Sequence, residues 1–295
     1  MITGTTQLLG VIGHPIAHSL SPVMHNAAIA HLGADFVYLP FPIAPDYLKQ
    51  AIQGFDAVGL KGFNVTIPHK QAIMPLLNKV SDLAISVGAV NTVWRTETGW
   101  SGTNTDVAGF VAPLTPMERD WGEALILGHG GAARAVVAGC VQLGCKTIRA
   151  VGRRPEALDL FQRSWQLTPP ATLSVHSWAE VPQLLPSSDL VVNATPIGMH
   201  PHEEASPLDD HWQALPADCV AYDLIYNPSP TRFLQQAKER GAIAVDGLEM
   251  LVRQGAVALE LWLQQPAPVE VMRRSLQTAL GLPSPHPTTT QTSYQ

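Results

Sequence analysis

Ala124-Leu125-Ile126-Leu127-Gly128-His129-Gly130-Gly131-Ala132-Ala133-Arg134 is the stretch whose reading decides the fold. Its first four residues form a continuous apolar run, the pattern of a parallel strand buried on both faces. The run stops at Gly128, and Ala132–Leu143 reads as a helix closed by Gly144. Gly128, Gly130 and Ala133 match G-x-G-x-x-G/A in the strand–turn–helix setting that a dinucleotide requires. The first glycine permits a tight turn, the second lets backbone approach a pyrophosphate, and the small third residue keeps helix and strand close. At the helix start Gly130, Gly131 and Ala132 offer free N–H groups and a partial positive charge to phosphates.

Alternation continues on the C-terminal side. Strands are expected at Thr147–Val151, Leu173–Ser177, Leu190–Ala194, Val220–Ile225 and Ala242–Val245. Helices are expected at Pro155–Gln166, Ala179–Leu185 and Pro230–Arg240. Repeated strand–helix units of this length describe a doubly wound, Rossmann-type parallel sheet. The end of the second strand then selects the cofactor. An NAD enzyme places a carboxylate there for the ribose 2′-hydroxyl. This chain has Val151-Gly152-Arg153-Arg154, with no carboxylate before Glu156. Two guanidiniums suit a 2′-phosphate, which they bind by charge-assisted, bidentate hydrogen bonds. NADP is therefore the expected cofactor.

Toward the N-terminus, strands are expected at Leu8–Gly13, Phe36–Phe41, Gly59–Ile67 and Ala89–Arg95. Helices are expected at Pro22–Gly33, Pro45–Gln53, Pro68–Leu77, Ser81–Val87 and from Asp106 to Pro113. This is a separate α/β unit of about a hundred residues, by the alternation rule. A chain of 295 residues exceeds one ordinary core, in keeping with two domains. Residues are 46% hydrophobic and 14% charged, which supplies large cores and excludes wholesale disorder. A net charge of −6 gives no footprint for nucleic acid or an anionic membrane. No apolar run approaches the ~20 residues of a transmembrane helix, and no signal peptide is legible at Met1–Gly10. Cys140, Cys145 and Cys219 form no C-x-x-C and read as reduced, buried thiols of a cytoplasmic protein. The histidines show no metal-ligand spacing, so no metal is expected.

In Gly62-Phe63-Asn64-Val65-Thr66-Ile67-Pro68-His69-Lys70, Asn64 and Thr66 share one face of an extended run, and Lys70 follows in the next turn. That set can hold a polyhydroxylated ligand and deliver a proton to it. Gly13-His14-Pro15-Ile16-Ala17-His18-Ser19-Leu20-Ser21-Pro22 brings two hydroxyls to the carboxyl edge of the first strand, where α/β sheets bind ligands. Ser21-Pro22 also reads as a helix cap. Gly88-Ala89-Val90-Asn91-Thr92 and Asn104-Thr105-Asp106 add further polar groups, and Asp106 can itself cap the following helix.

Taken along the chain, Gly13–Pro22, Gly62–Lys70, Gly88–Thr92 followed by Asn104–Asp106, and Gly128–Arg134 resemble the shikimate dehydrogenase family, and the resemblance runs from about Gly10 to about Gly281. It implies reversible NADPH-dependent reduction of 3-dehydroshikimate to shikimate in aromatic amino-acid biosynthesis. It implies Lys70 and Asp106 as the catalytic pair. Ser19 and Ser21 would hold the substrate carboxylate, and Asn64, Thr66, Asn91, Tyr226 and Gln254 its hydroxyl groups. Cofactor contacts would come from Gly128, His129, Gly130, Gly131, Ala132, Gly152, Arg153 and Arg154, with Thr195, Leu224 and Gly247 near the nicotinamide. His129 departs from the small residue usual in the family, so the resemblance leaves two readings for it: a side chain turned outward onto the cofactor, or one that merely sits beside it. The expected organisation is a substrate domain, 1–106, completed by returning helices within 247–281. An NADP domain, 107–246, lies between them, and a Pro/Thr/Ser-rich tail, 282–295, reads as disordered. A quinate/shikimate dehydrogenase of broader substrate or NAD use, and a noncatalytic quinate or dinucleotide sensor, are the alternatives. A homodimer is compatible with the resemblance.

Overall fold

The computed structural model describes residues 1–165 and 171–283, arranged around two six-stranded sheets. The expected tail disorder and the end of the helix ending at Gln166 fall outside the described residues. The first sheet comprises β1 (Gln7–Gly13), β2 (Phe36–Pro42), β3 (Gly62–Val65), β4 (Lys79–Val80), β5 (Thr92–Thr96) and β6 (Gly99–Thr103) in the order β2-β1-β3-β5-β6-β4. β1, β2 and β3 are parallel, and β5 runs antiparallel to both β3 and β6. The second comprises β7 (Glu123–Leu127), β8 (Thr147–Gly152), β9 (Thr172–Ser177), β10 (Leu190–Asn193), β11 (Val220–Asp223) and β12 (Ile243–Val245). All its pairings are parallel, in the order β12-β11-β10-β7-β8-β9. Its chain order reverses between β10 and β7, the switch point where doubly wound sheets bind ligands.

The helices are α1 (Ser21–Leu32), α2 (Leu48–Ala57), α3 (Asp82–Val87), α4 (Asp106–Val111), α5 (Gly131–Gln142), α6 (Pro155–Arg163), α7 (Val181–Leu184), α8 (Arg232–Glu239), α9 (Leu248–Leu263) and α10 (Val269–Ala279). Alternate residues of β7 feed opposite cores, as strand geometry requires. Ala124 and Ile126 pack with Val136 and Val137 of α5. Leu125 and Leu127 pack with Phe233 and Leu234 of α8. This two-sided burial is why the run is uninterrupted in apolarity. The first sheet has the same division: Leu9 and Val11 pack with α1, α9 and α10, while Ile12, Phe63 and Val65 pack with Leu48, Ile52 and Phe55 of α2. The returning α9 is locked to this sheet by Trp262, whose Nε1 donates to Val93 O at 2.9 Å. Gly62 makes the approach possible, since a Cβ there would lie 2.2 Å from that nitrogen.

Three local expectations are corrected. Residues 68–77 do not form an α-helix; a turn carries Lys70, and only Met74–Leu76 makes a short 3₁₀ helix. Pro75 removes an N–H and disfavours helical backbone at Met74, and the carbonyl of Lys70 is taken by Val90 N at 2.8 Å. β6 has no counterpart in the expected strands, because Ser101-Gly102-Thr103 lacks apolar alternation, although it pairs along β5. Ser21 does not cap α1: Leu20 holds that position, and Ser19 Oγ accepts from Ser21 N at 3.3 Å. The three cysteines are free and buried. Among the described residues no helix is long and apolar enough to cross a membrane.

Candidate active site

β1 and β3 are parallel, so their carboxyl ends lie on one edge, where Gly13 meets Thr66 and Ile16 of the loop that carries Ser19 and leads to Ser21 at the start of α1. The strand ends at Val65, one residue short of Thr66, whose N–H still bonds Ile12 O at 2.9 Å. From the turn beyond it, Lys70 Nζ reaches Asp106 Oδ2 at 2.6 Å. Asp106 is buried and opens α4, but it does not cap that helix. Asn104 Oδ1 instead accepts from the N–H groups of Asp106, at 3.0 Å, and Val107, at 3.4 Å. The carboxylate is thereby left for side-chain partners.

Asn91 organises the remainder. Its Nδ2 donates to Asp106 Oδ1 at 2.7 Å, Thr105 Oγ1 at 3.0 Å and Gln254 Oε1 at 3.4 Å. Its Oδ1 accepts from Thr105 N at 2.7 Å and Thr92 Oγ1 at 3.0 Å. Asn64 lies beneath it, donating to Asn91 O and Thr92 Oγ1 and accepting from Tyr38 OH at 2.7 Å. Buried polar groups need such full pairing, and here the pairing also orients the Lys70–Asp106 pair.

A cavity of about 910 Å³ runs from this network to the glycine-rich turn. Thr66, Lys70 and Gln71 line one side; Gly128–Ala132, Gly152, Arg153 and Thr195 line the other. Lys70 approaches the turn closely, since a Cβ on Gly131 would meet its Cδ at 3.5 Å. Gly128 has φ +115°, a conformation other residues rarely adopt, and its Cα packs on the backbone of Ala194. At Gly130 a Cβ would find nothing within 4 Å, so backbone N–H groups are approachable from the cavity. Asn193 shapes the opposite loop by accepting from Thr195 N and Oγ1, and it donates to Asp223 Oδ1 at 3.0 Å. Burial pushes the Asp223 carboxyl up to about 7, although Thr231, Ile225 and Asn193 all bond it.

The remaining candidates are placed as follows. Leu224 and Gly247 meet each other, and a Cβ on Gly247 would lie 2.2 Å from Leu224 O, which only glycine avoids. They stand outside the cavity lining, as does Arg154, the residue preceding α6. Tyr226 packs against the apolar cluster of the first sheet, and burial raises its phenol. Ser21 adjoins the hydroxyl of Tyr38, which bonds Asn64 of the Asn91 network, and Ser19 Oγ accepts from Ser21 N. Residues not foreseen include Thr92, Thr105 and Trp178, the last also lining the cavity. Arg134 is another: from α5 it donates to Val87 O, at the end of α3, and to Ser164 Oγ. A charged residue inside an otherwise small, apolar helix start was its only sequence signal.

With this geometry in view, comparisons with known proteins identify the lineage. Residues 11–93 match the family described as "Shikimate dehydrogenase substrate binding domain", and 247–277 match "Shikimate 5'-dehydrogenase C-terminal domain". The chain is 56% identical over 284 residues to shikimate dehydrogenase (NADP(+)) of Crocosphaera subtropica, covering 95% of this chain and 99% of that one. It is 59% identical over 288 residues to the protein of the same name from Trichormus variabilis, covering 96% and 100%. A crystal structure of shikimate 5-dehydrogenase from Thermus thermophilus, in complex with NADP(H) and shikimate, superposes with a TM-score of 0.82 at 33% identity, covering 93% and 100%. The chain belongs to the shikimate dehydrogenase family.

Proposed function

We propose that this chain catalyses the reversible NADPH-dependent reduction of 3-dehydroshikimate to shikimate. The observation that carries this reading is Lys70, which lines a cavity whose far wall is the dinucleotide turn and is held 2.6 Å from the buried carboxylate of Asp106. NADPH, when bound, supplies a hydride to the substrate carbonyl carbon. Lys70 gives a proton to the carbonyl oxygen as it becomes an alkoxide, and takes one back in the reverse direction. Asp106 holds the ammonium in place, and Asn91 holds Asp106. Gln254 and Thr66 stand beside this pair to bind ring hydroxyls, with Asn64 fixing Asn91 from below and Tyr226 near the same edge. Ser19 and Ser21 bind the carboxylate.

Cofactor fit rests on three features: the approachable backbone at Gly130, the left-handed Gly128 and the guanidinium of Arg153 in the cavity wall. The backbone from Gly128 to Ala132 holds the pyrophosphate, and Gly152, Arg153 and Arg154 take the 2′-phosphate side. Thr195, Leu224 and Gly247 bound the nicotinamide side. We assign residues 1–106 with 247–281 to substrate binding and 107–246 to the cofactor. The packing of α9 and α10 on the first sheet supports this division. Buried free thiols suit the reducing cytoplasm.

The test is absorbance of reduced nicotinamide on mixing the protein with shikimate and either NADP⁺ or NAD⁺, and with quinate in place of shikimate. Shikimate with NADP⁺ should give the fastest reduction. Absence of reduction with either cofactor would instead indicate a sensor. Arg153→Asp replaces a phosphate-binding cation with an anion, so it should weaken NADP⁺ far more than NAD⁺. An unchanged preference in steady-state kinetics would remove Arg153 from the subsite. Ser19→Ala deletes one neutral hydrogen bond, worth roughly 0.5–1.5 kcal/mol, and should raise KM for shikimate by about tenfold at most. Unaltered KM in both Ser19→Ala and Ser21→Ala would place the carboxylate elsewhere.

A further inference from the structure

His129 sits between the two glycines of the dinucleotide turn, and its imidazole lies against the end of the neighbouring strand β8. A Cβ on Gly152 would fall 2.5 Å from His129 Nδ1 and 2.9 Å from Cε1. The ring therefore occupies the space that a side chain at position 152 would fill. In a dinucleotide-binding sheet that strand end is where the adenosine ribose and its 2′ substituent are recognised. Here the recognising position holds a glycine, and an imidazole from the preceding turn stands over it. His129 and Arg153 line the same cavity.

The ring nitrogens are unequal. Nδ1 is buried without a hydrogen-bond partner, and Nε2 is neither bonded to protein nor buried, so it faces the cavity. Burial, followed by the charge of Arg154, lowers the imidazole from its ordinary range. The contacts from α6 are apolar: Leu158 reaches Gly152, and Phe161 meets the imidazole edge-on at 6.5 Å. A neutral imidazole with its proton on Nε2 avoids stranding an N–H in the buried position. It leaves one donor turned toward the cavity. We propose that His129 is a specificity-determining residue for the 2′-phosphate of NADP, donating from Nε2 where strand-end residue 152 has no side chain to do so. The proposal rests on the NADP reading above.

Calorimetric titration with 2′,5′-ADP and with 5′-AMP separates the possibilities, because the two probes differ only by the 2′-phosphate. His129→Ala should weaken 2′,5′-ADP by roughly tenfold or more, the usual loss for a hydrogen bond to a charged group, and leave 5′-AMP within about twofold. His129→Asn keeps a donor amide and should recover part of the loss. Equal losses on both probes would make His129 a packing residue over Gly152 and overturn the proposal. Unchanged 2′,5′-ADP binding in both variants would overturn it as well, while wild-type preference for 2′,5′-ADP keeps the NADP reading intact. Wild-type protein that binds both probes equally would remove that reading and this one together.

Discussion

Lys70→Ala is expected to lower kcat by roughly 10²–10⁴-fold, the range for a positioned acid–base group. Binding of NADP⁺ should survive, because in the proposed site the turn residues hold the cofactor through backbone. Asp106→Ala should also be slow, since the ammonium then loses its 2.6 Å partner. The double variant should be little slower than the slower single one, as groups acting as a unit are non-additive. Losses that multiply would mean two independent contacts. A Lys70→Ala protein with near-normal kcat would take Lys70 out of the mechanism. Thermal unfolding is the necessary control: removing Lys70 leaves a buried carboxylate short of its cation, although Asn91 still bonds its Oδ1. A folded but inactive variant isolates the chemical effect.

His25 carries the second large effect, on stability. It is fully buried beneath the site, stacked on Tyr38 at 4.3 Å, with both nitrogens unpartnered. Burial lowers its pKa from 6.5 to about 3. The folded protein therefore refuses a proton that the unfolded chain accepts. The resulting stability is present above about pH 6.5 and is lost progressively as pH falls toward 3. Between pH 6.5 and about pH 5 that loss amounts to roughly 2 kcal/mol. His25→Phe keeps an aromatic stack on Tyr38 and removes the titration. Urea unfolding of both proteins at about pH 7.5 and about pH 5 should show wild type losing roughly 2 kcal/mol more than the variant. Equal acid losses would mean that His25 gains a partner or water on protonation.

The parts legible without coordinates were those with local causes. Ala124-Leu125-Ile126-Leu127 is apolar throughout because β7 is covered on both faces. Gly128 and Gly130 are glycines because the turn needs a left-handed residue and an open approach. The polar groups of the candidate site were also visible, since Asn64, Asn91, Lys70 and Asp106 stand in short segments with the character of the shikimate dehydrogenase family. What escaped was set by distant partners. Residues 68–77 have helix-like composition, yet the Lys70 carbonyl is claimed by Val90 N from the loop between α3 and β5. The β6 strand is poor in apolar alternation and exists through its pairing with β5.

Amino-acid order by itself thus determined the two α/β units, the dinucleotide turn and the arginines at the end of β8, because strand periodicity, turn chemistry and charge are properties of neighbouring residues. Only the tertiary structure decided which groups meet. It brings Lys70 to Asp106 across 36 positions and Gln254 to Asn91 across 163. It frees Asp106 from capping by assigning that task to Asn104. It sets the ring of His129 over Gly152, where nothing in either local segment announces the other. Such contacts arise from the packing of sheets and returning helices, whose geometry no short window of sequence contains.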